Sequence, residues 1–577
     1  MKGILALTGA ALIFILSSCS PKPRLPASLT APSPTAWSSY TPMDSTSSSS
    51  ITGKVIDYLG APIAQATVRI QTTTNQTLTD DSGNFELTGL KRDMAVSVSA
   101  WKAGYYCAKI DNVTPPAGGI TFNMRLVQTN SNSNYQWISP IGDNSCYSCK
   151  PGVTQVWLEN DTHGKSGTNI RFLSMYNGTD VNGNQSPLTR YGNNRDYGRV
   201  PLRPDLAKPY YGPGYKLDFP DTSGNCATCH IPGAAIDAPY DTDPNAVNGV
   251  NMFGIHCDYC HKVADVRLDP TTGLPYANMP GVLSQDIRRP FPEDTDRYQI
   301  FFGSFDDDNV PMEDTYLPLI KESQWCAPCH YGVFWNTVIY NSFGEWLASP
   351  YSDSATGKTC QQCHMPAPTI LDDQPITNVA PDKGGVERDP LSIPAHTFPG
   401  ASNIELLQNA VSMSVSASQI GDKLTVNVTL INDKTGHDVP TDSPLRQMIL
   451  LIQAQNADGT PLIQVDGSMI PDYGGVGDPN EGYYAGLPGK IYAKTLMELW
   501  TEITPTGAYW NPVKIISDNR LAAFEADTST YTFTAPTDGK VAVEIKLLYR
   551  RAYKELMDQK GWDVPDIIMN EKQLDFP

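Results

Sequence analysis

The sequence predicts a multidomain fold: an N-terminal β-sandwich (Ig-like), a central mainly α/irregular domain and a C-terminal β-sandwich. Three observations predict it. Short runs of alternating apolar and polar residues, the period of half-buried strands, fill residues 51–128. The same pattern returns over 401–577. Between them, over 129–400, periodicity is poor, Pro and Gly are frequent, and five Cys-x-x-Cys motifs crowd into this stretch alone.

The chain opens with Lys2 and an apolar run from Ile4 to Leu16 that ends in Leu16-Ser17-Ser18-Cys19. Such a run is too short for an ordinary membrane span and fits the core of a signal peptide. Leu-Ser-Ser-Cys resembles the bacterial lipobox, which implies a lipoprotein signal peptide over 1–19 and a diacylglycerol on the Cys19 thiol. A plain secretory signal that happens to contain Cys is the alternative. Ser20, not Asp, follows the cysteine, so the inner-membrane retention signal of enterobacterial lipoproteins is absent. The expected destination is the outer membrane or cell surface, facing periplasm or exterior. Residues 20–50 are Pro, Ser and Thr with scarcely any large aliphatic side chain, and are expected to be a disordered tether.

Over 51–128, Ala66-Thr67-Val68-Arg69-Ile70 and Val96-Ser97-Val98-Ser99-Ala100 alternate cleanly, and Asp80-Asp81-Ser82-Gly83-Asn84 is a turn feeding Phe85-Glu86-Leu87. Gly53-Lys54-Val55, Gly60 with Pro62-Ile63, Ala66 with Val68, Asp81-Ser82-Gly83 with Phe85, and Gly104-Tyr105 together resemble the carboxypeptidase regulatory-like domain. The resemblance implies a small β-sandwich acting as a spacer or adhesive module. Cys107 is expected to be a small buried apolar side chain.

The motifs carry the chemistry. Four are Cys-x-x-Cys-His: Cys226–Cys229–His230, Cys257–Cys260–His261, Cys326–Cys329–His330 and Cys360–Cys363–His364. The fifth is Cys146–Cys149–Lys150. Cys-x-x-Cys-His is the attachment sequence of haem c. Two thiols three residues apart each add to one vinyl group of a porphyrin, and the next residue lies under the iron. Zinc sites explain paired cysteines but not a His fixed after each pair. Disulfide stapling suits small secreted domains rather than a chain of 577 residues. The central domain is therefore read as a multihaem cytochrome c domain holding four haems, with a fifth at the Lys motif.

Eight histidines are present; four close the motifs, and His163, His256, His396 and His437 remain. The matched count predicts four bis-histidine irons, an arrangement that carries electrons and leaves no position for substrate. Lys150 must be neutral to bind iron, which requires its surroundings to lower its pKa. That iron is expected to be five-coordinate or to hold a small ligand. The other readings are an unrecognised second ligand, a lysine pointing away, or no haem.

The stretch from Tyr340 through Glu345-Trp346 and Ser349-Pro350-Tyr351 to Cys363-His364-Met365-Pro366 resembles cytochromes related to ammonia-forming nitrite reductase and hydroxylamine oxidoreductase. A first motif ending in Lys is likewise what the nitrite reductase has. That enzyme sets an Arg, a Tyr and a further His above its Lys-ligated haem, and here no ninth His exists for the role.

From 401 onward, Leu424-Thr425-Val426-Asn427-Val428-Thr429-Leu430 and Val541-Ala542-Val543-Glu544-Ile545 alternate, and Met448 to Ile452 is a buried run. Gly436-His437 with Pro440 and Arg446, Asp518-Asn519-Arg520 and Leu548-Tyr549-Arg550 are similar to the C-terminal β-domain of many multihaem cytochromes. The resemblance implies a domain capping the haem cluster, with His437 and the preceding His396 as ligands.

A net charge of −19 argues against nucleic acid as a partner. Redox proteins or extracellular electron acceptors are expected instead, with the membrane reached through the lipid. Asp306-Asp307-Asp308 with Glu313 and Asp314 is read as a solvated acidic loop, Ca²⁺ binding being the alternative. The sequence as a whole points to an electron carrier outside the cytoplasm. The alternatives are a reductase of nitrite, hydroxylamine or a similar small oxyanion at the Lys150 haem, and a surface assembly protein.

Overall fold

The structure is a computed structural model that describes residues 48–576, apart from 161, 196–197, 204, 206, 292–298, 308–309, 311–313 and 538. The Cys19 lipid site and residues 20–47 of the tether expected over 20–50 lie outside the described residues, while 48–50 belong to the first strand and not to a tether. Residues from Ser49 onward form one compact unit.

Seven strands build the N-terminal domain: β1 (Ser48–Asp57), β2 (Thr67–Ile70), β3 (Gln76–Leu78), β4 (Asn84–Lys91), β5 (Val96–Trp101), β6 (Ala108–Val113) and β7 (Ala117–Met124). They form two sheets, ordered β4-β1-β7 and β3-β2-β5-β6. Alternate residues point to a shared core, where Val55, Val68, Val98 and Ala100 are fully buried. The expected sandwich is present. Cys107 is buried, with its Sγ 3.7 Å from the Asp306 carbonyl oxygen.

The C-terminal domain contains β8 (Ser412–Ile420), β9 (Lys423–Ile431), β10 (Gln447–Asn456), β11 (Ile463–Asp466), β12 (Gly489–Tyr492), β13 (Lys494–Glu498), β14 (Val513–Asp518), β15 (Ala526–Thr534), β16 (Val541–Arg550) and β17 (Ile567–Phe576). One sheet runs β8-β9-β15-β11 and another β12-β10-β16-β17, while β13 pairs with β14. Gly421, at φ +62°, opens the two-residue turn between β8 and β9 and so fixes their register at Ile420 opposite Lys423. Leu424, Val426, Val428 and Leu430 face Met448, Leu450, Ile452, Val543 and Ile545 across the sandwich. Met448–Ile452 is buried on both sides because Ile449 and Leu451 pack against Ile470 and Ile491 on the outer face.

The central region has fewer helices than the sequence suggests. Its longest helix among the described residues is Pro151–Asn160, and it also carries several two-stranded ladders, among them Val263–Val266 with Gln285–Ile287. Trp157 and His163 do not share a helix, since His163 begins a separate 3-10 turn, His163–Lys165. Among the described residues no helix is long and apolar enough to cross a membrane.

Candidate functional site

Each Cys-x-x-Cys pair sits on a single tight turn. The amide N–H of the residue after the second cysteine donates to the carbonyl of the first: Lys150 to Cys146 at 2.8 Å, His230 to Cys226 at 3.1 Å, His261 to Cys257 at 3.0 Å and His330 to Cys326 at 3.2 Å. That turn sets thiols i and i+3 on one face. In the Cys360–Cys363–His364 motif a capping box, Thr359 with Gln362, starts the helix Cys360–His364. The motifs touch one another through their thiols: Cys146 with Cys257, Cys229 with Cys329, and Cys326 with Cys360. Lengths of chain between motifs differ widely, yet the fold gathers all five into one cluster.

Three motif histidines stand opposite non-motif histidines. The rings of His261 and His396 are 6.4 Å apart between centroids, those of His364 and His437 6.4 Å, and those of His330 and His163 6.2 Å. Two imidazoles bound through nitrogen to opposite faces of one metal ion, each about 2.0–2.1 Å from it, have ring centres roughly 6.4 Å apart. Tautomers agree for two of the pairs. His261 Nδ1–H donates to the Phe302 carbonyl at 2.6 Å, His396 to Pro394 at 3.1 Å, His364 to Pro399 at 2.7 Å and His437 to Asp438 at 2.9 Å. With the proton held at Nδ1, each Nε2 keeps its lone pair for a metal. Burial pushes His261 and His330 below the usual imidazole range and His364 down to about 4, which keeps these rings neutral near pH 7. The donor set therefore fits haem iron.

His256 stands apart from these three pairs. It is the N-cap of the helix Cys257–Cys260, and its Nδ1 accepts the Tyr259 N–H at 3.2 Å. The proton then belongs on Nε2, which is buried without a hydrogen-bond partner; a Cβ on Gly233 would lie 2.8 Å from it. Trp137 packs against the ring at 5.2 Å. A histidine placed this way caps a turn. Lys150 Nζ lies 3.6 Å from Asp314 Oδ2. His230 stacks on Phe172, with ring centroids 3.8 Å apart and planes within 4°.

The acidic stretch is engaged by cations. Asp306 pairs with Arg69 at 3.0 Å, and Asp307 with Arg388 at 3.1 Å while accepting the Thr72 N–H at 2.7 Å. Asp308 and Glu313 lie outside the described residues. Among the described residues no group of three or more His, Cys, Asp or Glu is arranged to hold a metal ion, and the arginine pairs of Asp306 and Asp307 differ from the solvated loop expected.

Two supporting groups stand out. Sequence reasoning did not single out Asp258 and Lys262, which flank Cys260-His261 and form a fully buried ion pair. Asp258 also accepts from Tyr135 Oη at 2.9 Å and the Ile138 N–H at 2.8 Å, and Lys262 donates to the Ile300 carbonyl at 3.1 Å. Their i, i+4 spacing with opposite charge was the only available signal. The second group joins separate pieces of the sequence. Arg520 binds Glu345 at 2.6 Å, Asp518 at 2.7 Å and Asp438 at 2.9 Å, and so ties the His437 loop to the central region. Burial works against the Arg520 charge, but these three carboxylates hold its pKa above the ordinary value.

No curated protein matches the sequence. Among solved structures, the chain is similar to a penta-heme cytochrome c552 from Thermochromatium tepidum at 17% identity, covering 76% of this chain and 100% of that one, with a TM-score of 0.48. A cohesin–dockerin complex from Acetivibrio cellulolyticus matches at 24% identity over 16% of this chain and 66% of that chain, with a TM-score of 0.13. The family of the N-terminal part is clear: residues 50–127 match the carboxypeptidase regulatory-like domain.

Proposed function

We propose that this chain is an exported multihaem c-type cytochrome that carries electrons between redox partners outside the cytoplasm. The observation that carries the reading is the set of three facing histidine pairs, 6.2–6.4 Å apart, each joining a motif histidine to a distant one. Haem attached at the ten motif cysteines would supply one-electron redox chemistry. The chain's own residues orient the ligands. The carbonyls of Phe302, Pro394, Pro399 and Asp438 fix the tautomers, and the Arg520 cluster holds the His437 loop in place. Contact between motifs through their thiols supports transfer from one haem to the next.

In this reading Cys19 carries the lipid, 20–47 is the tether, and the carboxypeptidase regulatory-like domain spaces the haem region from the membrane. The partners are redox proteins or extracellular acceptors. The test is to quantify covalent haem in the purified protein by the pyridine haemochromogen and to resolve spin states by electron paramagnetic resonance. Five haems per chain, with at least three low-spin bis-histidine signals, are expected. One haem or none would end the proposal.

A further inference from the structure

Two of the three histidine pairs have nearly parallel rings, and the third does not. The planes of His261 and His396 lie 28° apart and those of His364 and His437 20° apart, whereas His330 and His163 cross at 88°. Axial ligands set the electronic state of an iron, and the contacts around a ligand set its ring orientation. Each imidazole donates π density to the iron d orbital perpendicular to its own plane. Parallel rings act on the same orbital and split the pair. Crossed rings act on both orbitals and leave them nearly equal in energy.

Phe398 is placed to hold the crossed arrangement. Its ring meets that of His163 edge to face, with centroids 4.6 Å apart and planes at 88°, and it meets His396 at 6.4 Å and 85°. The His163 main chain is fixed, because its carbonyl accepts Ser166 Oγ–H at 2.8 Å and the Ile255 N–H at 3.1 Å. Only the side-chain bonds are left to turn, and turning toward the plane of His330 would give up the aromatic contact.

The Phe398 ring is itself set by a strained turn. A φ of +42° is left-handed backbone, uncommon for a bulky residue, and a residue before proline is ordinarily extended. Such strain persists only where the surroundings over-determine it. Here both ends of the turn are tied down. The Pro394 carbonyl accepts from His396 Nδ1–H at 3.1 Å and from Thr369 Oγ1–H at 2.9 Å, and the Pro399 carbonyl accepts from His364 Nδ1–H at 2.7 Å. The segment from Pro394 to Pro399 thus reaches all three histidine pairs.

We propose that Phe398 is a positioning residue that holds His163 crosswise to His330, so that an iron between these two differs in electronic structure from the irons of the other two pairs. The inference deepens the electron-carrier reading above and rests on it. The His330 motif is also the one whose thiols touch two other motifs, through Cys229 with Cys329 and Cys326 with Cys360. A nearly degenerate orbital pair points in two perpendicular directions of the porphyrin plane, which suits a junction between neighbours.

The test is low-temperature electron paramagnetic resonance of the oxidised full-length protein, with covalent haem counted in every sample. A count far below five defeats the haem reading itself. With five haems present, one highly anisotropic low-spin signal, the signature of crossed imidazoles, is expected beside at least two rhombic ones, and it should vanish in His163→Ala. Phe398→Leu keeps bulk but removes the ring, and should convert the anisotropic signal into a rhombic one with the haem count unchanged. Phe398→Tyr should retain it. Phe398→Asn, which suits left-handed backbone, makes the same test if Phe398→Leu does not fold. The proposal falls if no anisotropic signal is seen, if that signal survives His163→Ala, or if it is unchanged once the Phe398 ring is gone. Its replacement by a high-spin signal in the Phe398 variants would mean that the ring keeps His163 on the iron rather than setting its plane, and would equally overturn the proposal.

Discussion

At the scale of single residues, what matters is which ring nitrogen carries the proton. His364 and His437 both donate from Nδ1 to carbonyls, so both present Nε2 to the space between them. His437→Ala removes a proposed ligand but neither Cys360 nor Cys363, the residues expected to attach the haem there. One low-spin resonance should be lost and a high-spin one gained, with five haems still covalently bound; an unchanged spectrum would separate His437 from the iron. The Asp258–Lys262 pair makes a different prediction. Lys262→Met leaves the Asp258 carboxylate buried without its cation, and a broken buried pair costs about 3–5 kcal/mol. Denaturant titration of the haem-loaded protein should show that loss. An effect below about 1 kcal/mol would mean that water reaches the site.

At the scale of elements, β9 shows how a readable pattern becomes stability. Leu430 is fully buried between the two C-terminal sheets, and Leu430→Ala should cost about 2–5 kcal/mol in a chemical melt, whereas an outward neighbour such as Thr429→Ala should change little. The sequence made β9 legible because one face is core and the other half-exposed, so polarity alternates with the pleat. It made β10 legible as a buried run for the opposite reason, since both of its faces are covered. The central region was legible only at its motifs. There the chain turns every few residues, no element is long enough to show a period, and the polypeptide is organised around side chains of four distant segments. Counting histidines could suggest pairs but not which rings meet; the structure sets His261 opposite His396, His364 opposite His437 and His330 opposite His163. Composition cannot reveal that His256 caps a helix, nor that Lys150 pairs with Asp314 far along the sequence. The pieces ending in Glu345, His437 and Arg520 were recognisable singly, but their ion-pair cluster needed the fold.

At the scale of the molecule, two questions are where the protein resides and whether its first domain is more than a spacer. The first follows from Cys19. Cys19→Ser should move the protein from the membrane to the soluble fraction with its haem count unchanged, and persistence at the membrane would place the anchor elsewhere. The second follows from a contact that reaches the third motif. Tyr106, from the N-terminal domain, is buried with Ala264, Ile300 and Phe302 of the central region, and its hydroxyl donates to the Gln299 carbonyl at 2.6 Å. Arg69 with Asp306 and Trp101 against Tyr316 extend the same contact. The Phe302 carbonyl is the acceptor for His261 Nδ1–H, so the domain braces the segment that orients a proposed iron ligand. That hydrogen bond makes the imidazole a stronger electron donor and thereby favours the oxidised iron. Tyr106→Ala removes the side chain that packs over Phe302 and should loosen the bond without touching any motif residue. In a spectroelectrochemical titration, one component is expected to move to higher potential while the others stay fixed. Superimposable titration curves for the two proteins would reduce the N-terminal domain to a spacer.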